Sequence, residues 1–389
     1  MILRRSFLIL ALCLGQGLPA TAQPVLRIGL SAPLTGADAA FGQGIRQGAE
    51  QAVADLNRSG PRRLALSVAD DGGEPRQAAQ VAARLVAEGV AAVIGPFESP
   101  AVAAAAPVYD KAGTVFLTTG AAYGPLTARG LWNLFRLGPS DPQQARAAAD
   151  YLAKTFPDRP IAVLNDRTSF GRGLAESVAA RWRELGQKEP ITAGFDRGST
   201  DLAGLARRMA EAKVAAVYFG GLAPDAVSLV RAMREAKSDA PLVASDGILD
   251  PAFAALGAAG EGTVMTLTPD APHLPEARGP KPAPRTAEAE AVAAEAYAAV
   301  QVIAQALDRG AVIDPRTGKA DGRKLAQALR AGPFKTIAGS VAFDARGDQT
   351  SDPVVLRVWR RQPDGRLDYA GQDPAIEAGR TQSSGSGLN

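Results

Sequence analysis

Residues 91–124 read AAVIGPFESPAVAAAAPVYDKAGTVFLTTGAAYG. The apolar run VAAVIG (90–95) breaks at Gly95-Pro96, exposes Glu98-Ser99-Pro100, and enters an alanine-rich helix predicted from Pro100 to Ala112. A second apolar run, TVFLTT (114–119), breaks in the same way at Gly120-Ala121-Ala122-Tyr123. Short apolar strands flanking a helix point to parallel pairing, because parallel strands need a crossover and the crossover covers the sheet face. Both strands end in small and hydroxyl-bearing residues. In an open α/β sheet, ligands sit beyond those carboxyl ends, beside helix N-termini. Ser99 before Pro100 has the form of an N-cap and first-turn pair. An anion placed there would meet unpaired N–H groups and the positive end of the helix dipole. Ser99 can therefore cap its helix, contact a ligand, or do both.

The same alternation extends in both directions. Upstream, VLRIGL (25–30) and RLALSVAD (63–70) read as strands, with helices from about Phe41 to Asn57 and from Pro75 to about Glu88. After LWNLFRL (131–137) the rhythm restarts, with strands at 161–166, 191–195, 215–220 and 241–245 between helices at 142–155, 170–185, 201–212 and 224–236. Running twice, it predicts an α/β protein of two Rossmann-like lobes, each a parallel sheet flanked by helices. The final third holds a strand at 262–269, a proline-rich connection at 270–285, helices near 286–309 and 323–329, and strand-like SVAFDARGD and PVVLRVWRRQPDGRLDY. These are too few for a third sheet, so they should return to the two lobes. The expected division is an N-terminal lobe over 23–139, a C-terminal lobe over 140–265, a return to the first over 266–345, a return to the second over 346–375, and a flexible tail over 376–389. Crossings near 139, 266 and 345 would form a three-stranded hinge.

At 389 residues the chain exceeds one ordinary domain. A hydrophobic content of 46% supplies ample core, and 43 basic against 40 acidic residues leave a net charge of +3. The first 22 residues combine Arg4 and Arg5, an apolar run from Phe7 to Leu14, and Ala20-Thr21-Ala22 before Gln23, the form of a cleaved secretory signal peptide. That run is too short to span a bilayer. A buried N-terminal helix and lipidation at Cys13 are the competing readings. Loss of the leader would take the charge to +1, leaving no basic tract to suggest a nucleic-acid partner. Cys13 is the only cysteine, so the mature chain would carry no disulfide and no thiol chemistry. The expected product is a periplasmic monomer without stable membrane insertion.

Catalysis finds little support. Nucleophilic triads and most metal sites draw on histidine or cysteine, and the single histidine, His273, lies in the proline-rich connection. No G-x-x-x-x-G-K-[ST] occurs, and FGQGIRQG (41–48) has the wrong spacing for a dinucleotide fingerprint. Asp70-Asp71 is a carboxylate pair at a strand end. The sequence implies no catalytic residue, metal or cofactor, and a binding protein is expected rather than an enzyme.

Four stretches carry a resemblance: VLRIGLSAPLTGADAAFGQGIRQGAEQAVADLN (25–57), VADDGGEPRQAAQVAARLVAEGVAAVIGP (68–96), NDRTSFGRGLAESV (165–178) and FDARGD (343–348). Together they closely resemble the periplasmic leucine/isoleucine/valine-binding proteins of ABC importers, over Val25 to Tyr369. The resemblance implies the type I periplasmic binding fold, a small ligand captured between the lobes, and membrane permease subunits as partners. Relatives bind amino acids, amides or aromatic acids, and some are ligand sensors coupled to a signalling partner. Asp70-Asp71 falls in a helix-capping loop of that fold.

The resemblance also implies a site. Ser99 and the loop Gly120-Ala121-Ala122 match positions that hold a ligand carboxylate and orient its ammonium. Asp246, directly after a strand, matches the acid set against that ammonium, with an Asx-turn capping the next helix as the alternative. Leu222 stands where an aromatic covers the ammonium, Phe41 and Phe170 either line the ligand or belong to the core, and Tyr123 lies at the cleft mouth. Ala122 replaces a threonine and Leu222 a tyrosine of the leucine-type binders, while Gly73 and Glu98 replace their paired disulfide. These departures keep an aromatic acid or an amide open beside a branched-chain amino acid.

Overall fold

Val25–Ala32 (β1) buries all but two of its side chains, as a central parallel strand must. In the computed structural model it pairs with Arg63–Asp70 (β2) on one side and Ala92–Ile94 (β3) on the other. Phe116–Thr118 (β4) and Leu134–Arg136 (β5) extend this sheet, giving the order β2-β1-β3-β4-β5, parallel throughout. The structure describes residues 25–369 except 37, 61, 200, 268–271, 273, 277–286, 310 and 351–353. The predicted signal peptide with Cys13, His273, most of the proline-rich connection and the tail at 376–389 lie outside the described residues.

Pro75–Ala87 (α2) and Ser99–Ala112 (α3) cover one face of the first sheet, where Leu85, Val102 and Tyr109 meet Val93 and Phe116. Ala39–Ser59 (α1) covers the other together with Ala287–Leu307 (α10), a late helix returning to the first lobe. Those two helices approach closely: a Cβ on Gly48 would lie 2.0 Å from the Ala293 carbonyl oxygen. Pro125–Ala128 (α4) is a short helix beside β5.

The second sheet runs β13-β10-β9-β8-β6-β7. Its strands are Ile161–Asn165 (β6), Ile191–Gly194 (β7), Ala216–Gly220 (β8), Leu242–Ser245 (β9), Val264–Leu267 (β10) and Val355–Val358 (β13). All are parallel to their neighbours except β13, which is antiparallel to β10. Asp141–Thr155 (α5) and Ser169–Glu184 (α6) pack on one face around Trp182. Ala203–Glu211 (α7), Ala223–Glu235 (α8) and Pro251–Ala254 (α9) pack on the other. Gly322–Arg330 (α11) and the hairpin Phe334–Thr336 (β11) with Gly339–Val341 (β12) belong to the first lobe, and the pair Arg360–Arg361 (β14) and Leu367–Asp368 (β15) to the second.

The molecule is a two-lobe α/β fold with parallel sheets flanked by helices. The chain passes between sheets after β5, after β10 and after β12. Thr266, expected at a crossing, lies inside β10. Within 131–137 only Leu134–Arg136 joins the sheet; Trp132 instead donates to Asp110 at 2.6 Å and lies under the Arg323 guanidinium. Among the described residues, no helix is long and apolar enough to cross a membrane.

Candidate ligand-binding site

At the first lobe's strand ends, α3 begins one residue earlier than the sequence suggests. Glu98 occupies the N-cap position without a capping side-chain bond, and Ser99 is the first helical residue. Ser99 therefore does not cap its helix. Its Oγ instead accepts the Tyr123 N–H at 3.3 Å, tying the end of β3 to the loop after β4 and leaving the hydroxyl proton to donate elsewhere. In that loop Gly120 lies flat under Phe97, where a Cβ would sit 2.0 Å from the ring, and Phe97 stacks on Phe41 at 5.3 Å. Ala121 is buried with both backbone groups engaged, its N–H donating to Thr118 Oγ1 and its carbonyl accepting from Arg136. The Ala122 carbonyl accepts the Asp141 N–H at 2.9 Å, and the Tyr123 ring is largely exposed.

Arg136 holds this loop in place. The guanidinium, 1% exposed, pairs with Asp348 at 2.8 Å and donates to the Ala121 and Tyr123 carbonyls and to Thr127 Oγ1. Its fork of fixed donors suits several acceptors at once.

In the second lobe Asp246 follows β9 directly. Ser245, not Asp246, caps the ensuing turn, its hydroxyl accepting the Gly247 N–H. Asp246 is half-buried, receives long hydrogen bonds of 3.3 and 3.4 Å from Gln144 Nε2, and is pushed above the usual carboxylate range by burial. Gln144 is itself fixed by the Thr266 hydroxyl, which donates to its Oε1 at 2.8 Å.

Asp141, the first residue of α5, is 6% exposed, and its Oδ1 is buried without a hydrogen-bond partner. Burial raises its pKa to about 6, with Asp246 adding to the rise and Arg136 opposing it. The Tyr218 hydroxyl, fully buried and also without a partner, is raised by burial and by the negative charges of Asp141 and Asp246. Phe170 and Leu222 converge on Gly247, 3.2 and 3.4 Å from where its Cβ would be.

Hydrogen bonds thus link Ser99 and Tyr123, and Ala122 and Asp141, across the lobes, and Gln144 on the same helix as Asp141 reaches Asp246. Phe41 joins through Phe97. Asp141, Arg136, Gln144, Tyr218 and Phe97 were missed in the sequence. Ser140 with Gln143 reads there as a capping box, and Gln143 Oε1 does accept the Ser140 N–H, which gives Asp141 the look of an ordinary first-turn acid. The one available signal was Arg136, a charge inside an apolar strand.

Asp70 and Asp71 build turns: Asp70 accepts from the Leu34 and Gly72 N–H groups and the Thr35 hydroxyl, and Asp71 from the Ser31 hydroxyl and the Gly73 N–H. The Glu98 carboxylate lies against Gly73, 2.9 Å from where a Cβ would be, so the two positions matched to a disulfide are neighbours. Both Glu98 oxygens are buried without partners, and burial, reinforced by Asp71 and Asp38, raises the group to about 7. Among the described residues, no group of three or more His, Cys, Asp or Glu could hold a metal ion.

Known proteins match this fold. Residues 25–365 match the family model described as periplasmic binding protein. The Leu/Ile/Val-binding protein homolog 2 of Brucella abortus is 34% identical over 365 residues, covering 92% of this chain and 96% of that protein. Homolog 1 of Brucella suis is 35% identical over 352 residues, covering 89% and 93%. An ABC transporter substrate-binding protein from Desulfitobacterium hafniense, solved in complex with Leu, superposes with a TM-score of 0.67 at 26% identity, covering 89% of this chain and all of that one. The chain belongs to the periplasmic binding proteins, as a solute-binding protein of the leucine/isoleucine/valine-binding type and not an enzyme.

Proposed function

We propose that the chain captures an α-amino acid between its lobes in the periplasm and delivers it, in the closed form, to the permease of an ABC importer. The observation that carries this reading is the Asp141 carboxylate, buried with an unpartnered oxygen and electrostatically coupled to Asp246. Charge on the buried Asp141 is costly, Asp246 adds to that cost, and a cation held near both would relieve it. A ligand ammonium does so. An aromatic acid without a cation would bring a third negative charge toward the same wall. Ser99 and the N-terminus of α3 suit the other end of the zwitterion, because unpaired helix N–H groups favour a carboxylate. The Asp141–Asp246 pair also makes up for the polar contacts that Ala122 and Leu222 cannot give.

The curated relatives carry the leucine/isoleucine/valine name, and the Desulfitobacterium protein was solved with leucine. Closure replaces water around the ligand by contacts from both lobes, and ligand binding shifts the population toward that form. Export through the N-terminal segment completes the reading; mass spectrometry of the periplasmic protein should find a mature chain beginning at Gln23 or within a residue or two. The binding claim is tested by calorimetry with α-amino acids, their deaminated acids and benzoate. Binding should require the ammonium. Tight binding of benzoate or a deaminated acid, with no amino acid bound, would overturn the reading.

A further inference from the structure

Beside Tyr123 and Asp141 a groove of about 440 Å³ runs between the lobes, a size suited to a small-molecule ligand. Tyr123 of the first lobe forms one side; Asp141, Pro142 and the α6 residues Arg172 and Glu176 form the other. Asp141, assigned above to the ligand ammonium, lines this groove together with Tyr123, whose N–H is bonded to Ser99 Oγ. Tyr123 and Pro142 offer apolar surface midway. Arg172 and Glu176 supply the outer charges.

Those two charges stand at i and i+4 on one helix face, the spacing at which opposite charges normally pair. No ion pair joins them. Among the described residues Glu176 has no hydrogen-bond partner, and Arg172 commits only one side-chain nitrogen, donating to the Arg167 carbonyl at 3.0 Å. Both groups line the groove with bonding capacity to spare. Once Asp141 and Asp246 are assigned to an ammonium, the remaining pair is neutral overall and presents one acceptor and one donor. A terminal cation would meet Arg172, and a terminal anion would meet Glu176. A neutral group with both an N–H and a C=O satisfies each.

We propose that the natural ligand is an amino acid whose side chain ends in a carboxamide or urea, with its N–H groups donating to Glu176 and its carbonyl accepting from Arg172. This rests on the amino-acid reading above and names the side chain it left open.

The test is calorimetry of the mature chain with L-glutamine, L-citrulline, L-norleucine, L-lysine and L-glutamate. Glutamine or citrulline should bind about tenfold or more tighter than norleucine, the scale of hydrogen bonds to charged groups, and tighter than lysine or glutamate. Glu176→Leu and Arg172→Leu, both on the exposed face of α6, should each narrow the ratio of amide to norleucine affinity to within about threefold. A ratio near unity in the wild-type chain, a preference for lysine or glutamate, or a ratio preserved in both variants would overturn the proposal. Leucine or norleucine binding without amide preference defeats this inference alone. Failure of every amino acid to bind defeats the amino-acid reading and this inference with it.

Discussion

Asp246 adds to the cost of charge on the buried Asp141, and under the proposed function one ligand ammonium would relieve both. Asp141→Asn and Asp246→Asn should each weaken an α-amino acid by about 2 to 5 kcal/mol, the scale of leaving a desolvated charge without its partner. Ser99→Ala should cost about 1 to 2 kcal/mol, the loss of one donor to a carboxylate. Calorimetry ranks the three; an acid variant that binds as tightly as the wild type would remove the ammonium from the account. Affinity should also fall as pH drops below about 6, where Asp141 takes up the proton that the ammonium must displace. Glu98 governs stability rather than affinity. Its pKa rises on folding from 4.5 to about 7, so the folded state holds the proton more tightly. That stabilisation is full below about 4.5 and is lost as pH rises through about 7, a change on the order of 2 kcal/mol. Glu98→Gln should flatten this part of the profile in denaturant melts at a series of pH values; an unchanged slope would assign it to other groups.

Among the elements, β5 carries the residue that shapes the site without touching a ligand. Arg136→Met leaves the carbonyls of Ala121 and Tyr123 without the guanidinium donor and Asp348 without its counter-charge, and should destabilise the fold by about 2 to 4 kcal/mol, less than a wholly buried pair would because Asp348 is partly exposed and keeps the Thr127 hydroxyl. Contact between α1 and α10 makes a second test. Alanine is a better helix former than glycine by about 1 kcal/mol, yet Gly48→Ala should cost about 2 kcal/mol or more, since backbone must move to admit the methyl. A Gly48→Ala chain more stable than its parent would contradict the packing described. These elements were legible in the sequence to different degrees. Strands such as VAAVIG and TVFLTT announce themselves because burial on both faces demands continuous apolar runs. The start of α3 was misplaced by one residue, since Ser-Pro fits the first two helical positions as well as a cap. The charge network was not legible, because Asp246 and Asp348 lie far along the chain from Arg136 and Asp141 and only the folded topology brings them together.

At the scale of the whole molecule, the doubled strand–helix rhythm made two lobes readable, and the shortage of strands in the last third showed that it returns to both. The path by which α10 comes back against α1 was not readable, since Gly44 and Gly48, which meet Ala289 and Ala293, do not name their partners in the sequence. Three passages between the sheets join lobes that each have their own core, so rotation of one against the other need not disturb either. The central claim is that a ligand draws these lobes together. Small-angle scattering of the mature chain, alone and with an amino acid shown by calorimetry to saturate it, measures this directly. The radius of gyration should fall on binding, and the fall should disappear in the Asp246→Asn variant at concentrations where that variant stays empty. An unchanged radius at proven saturation would contradict closure.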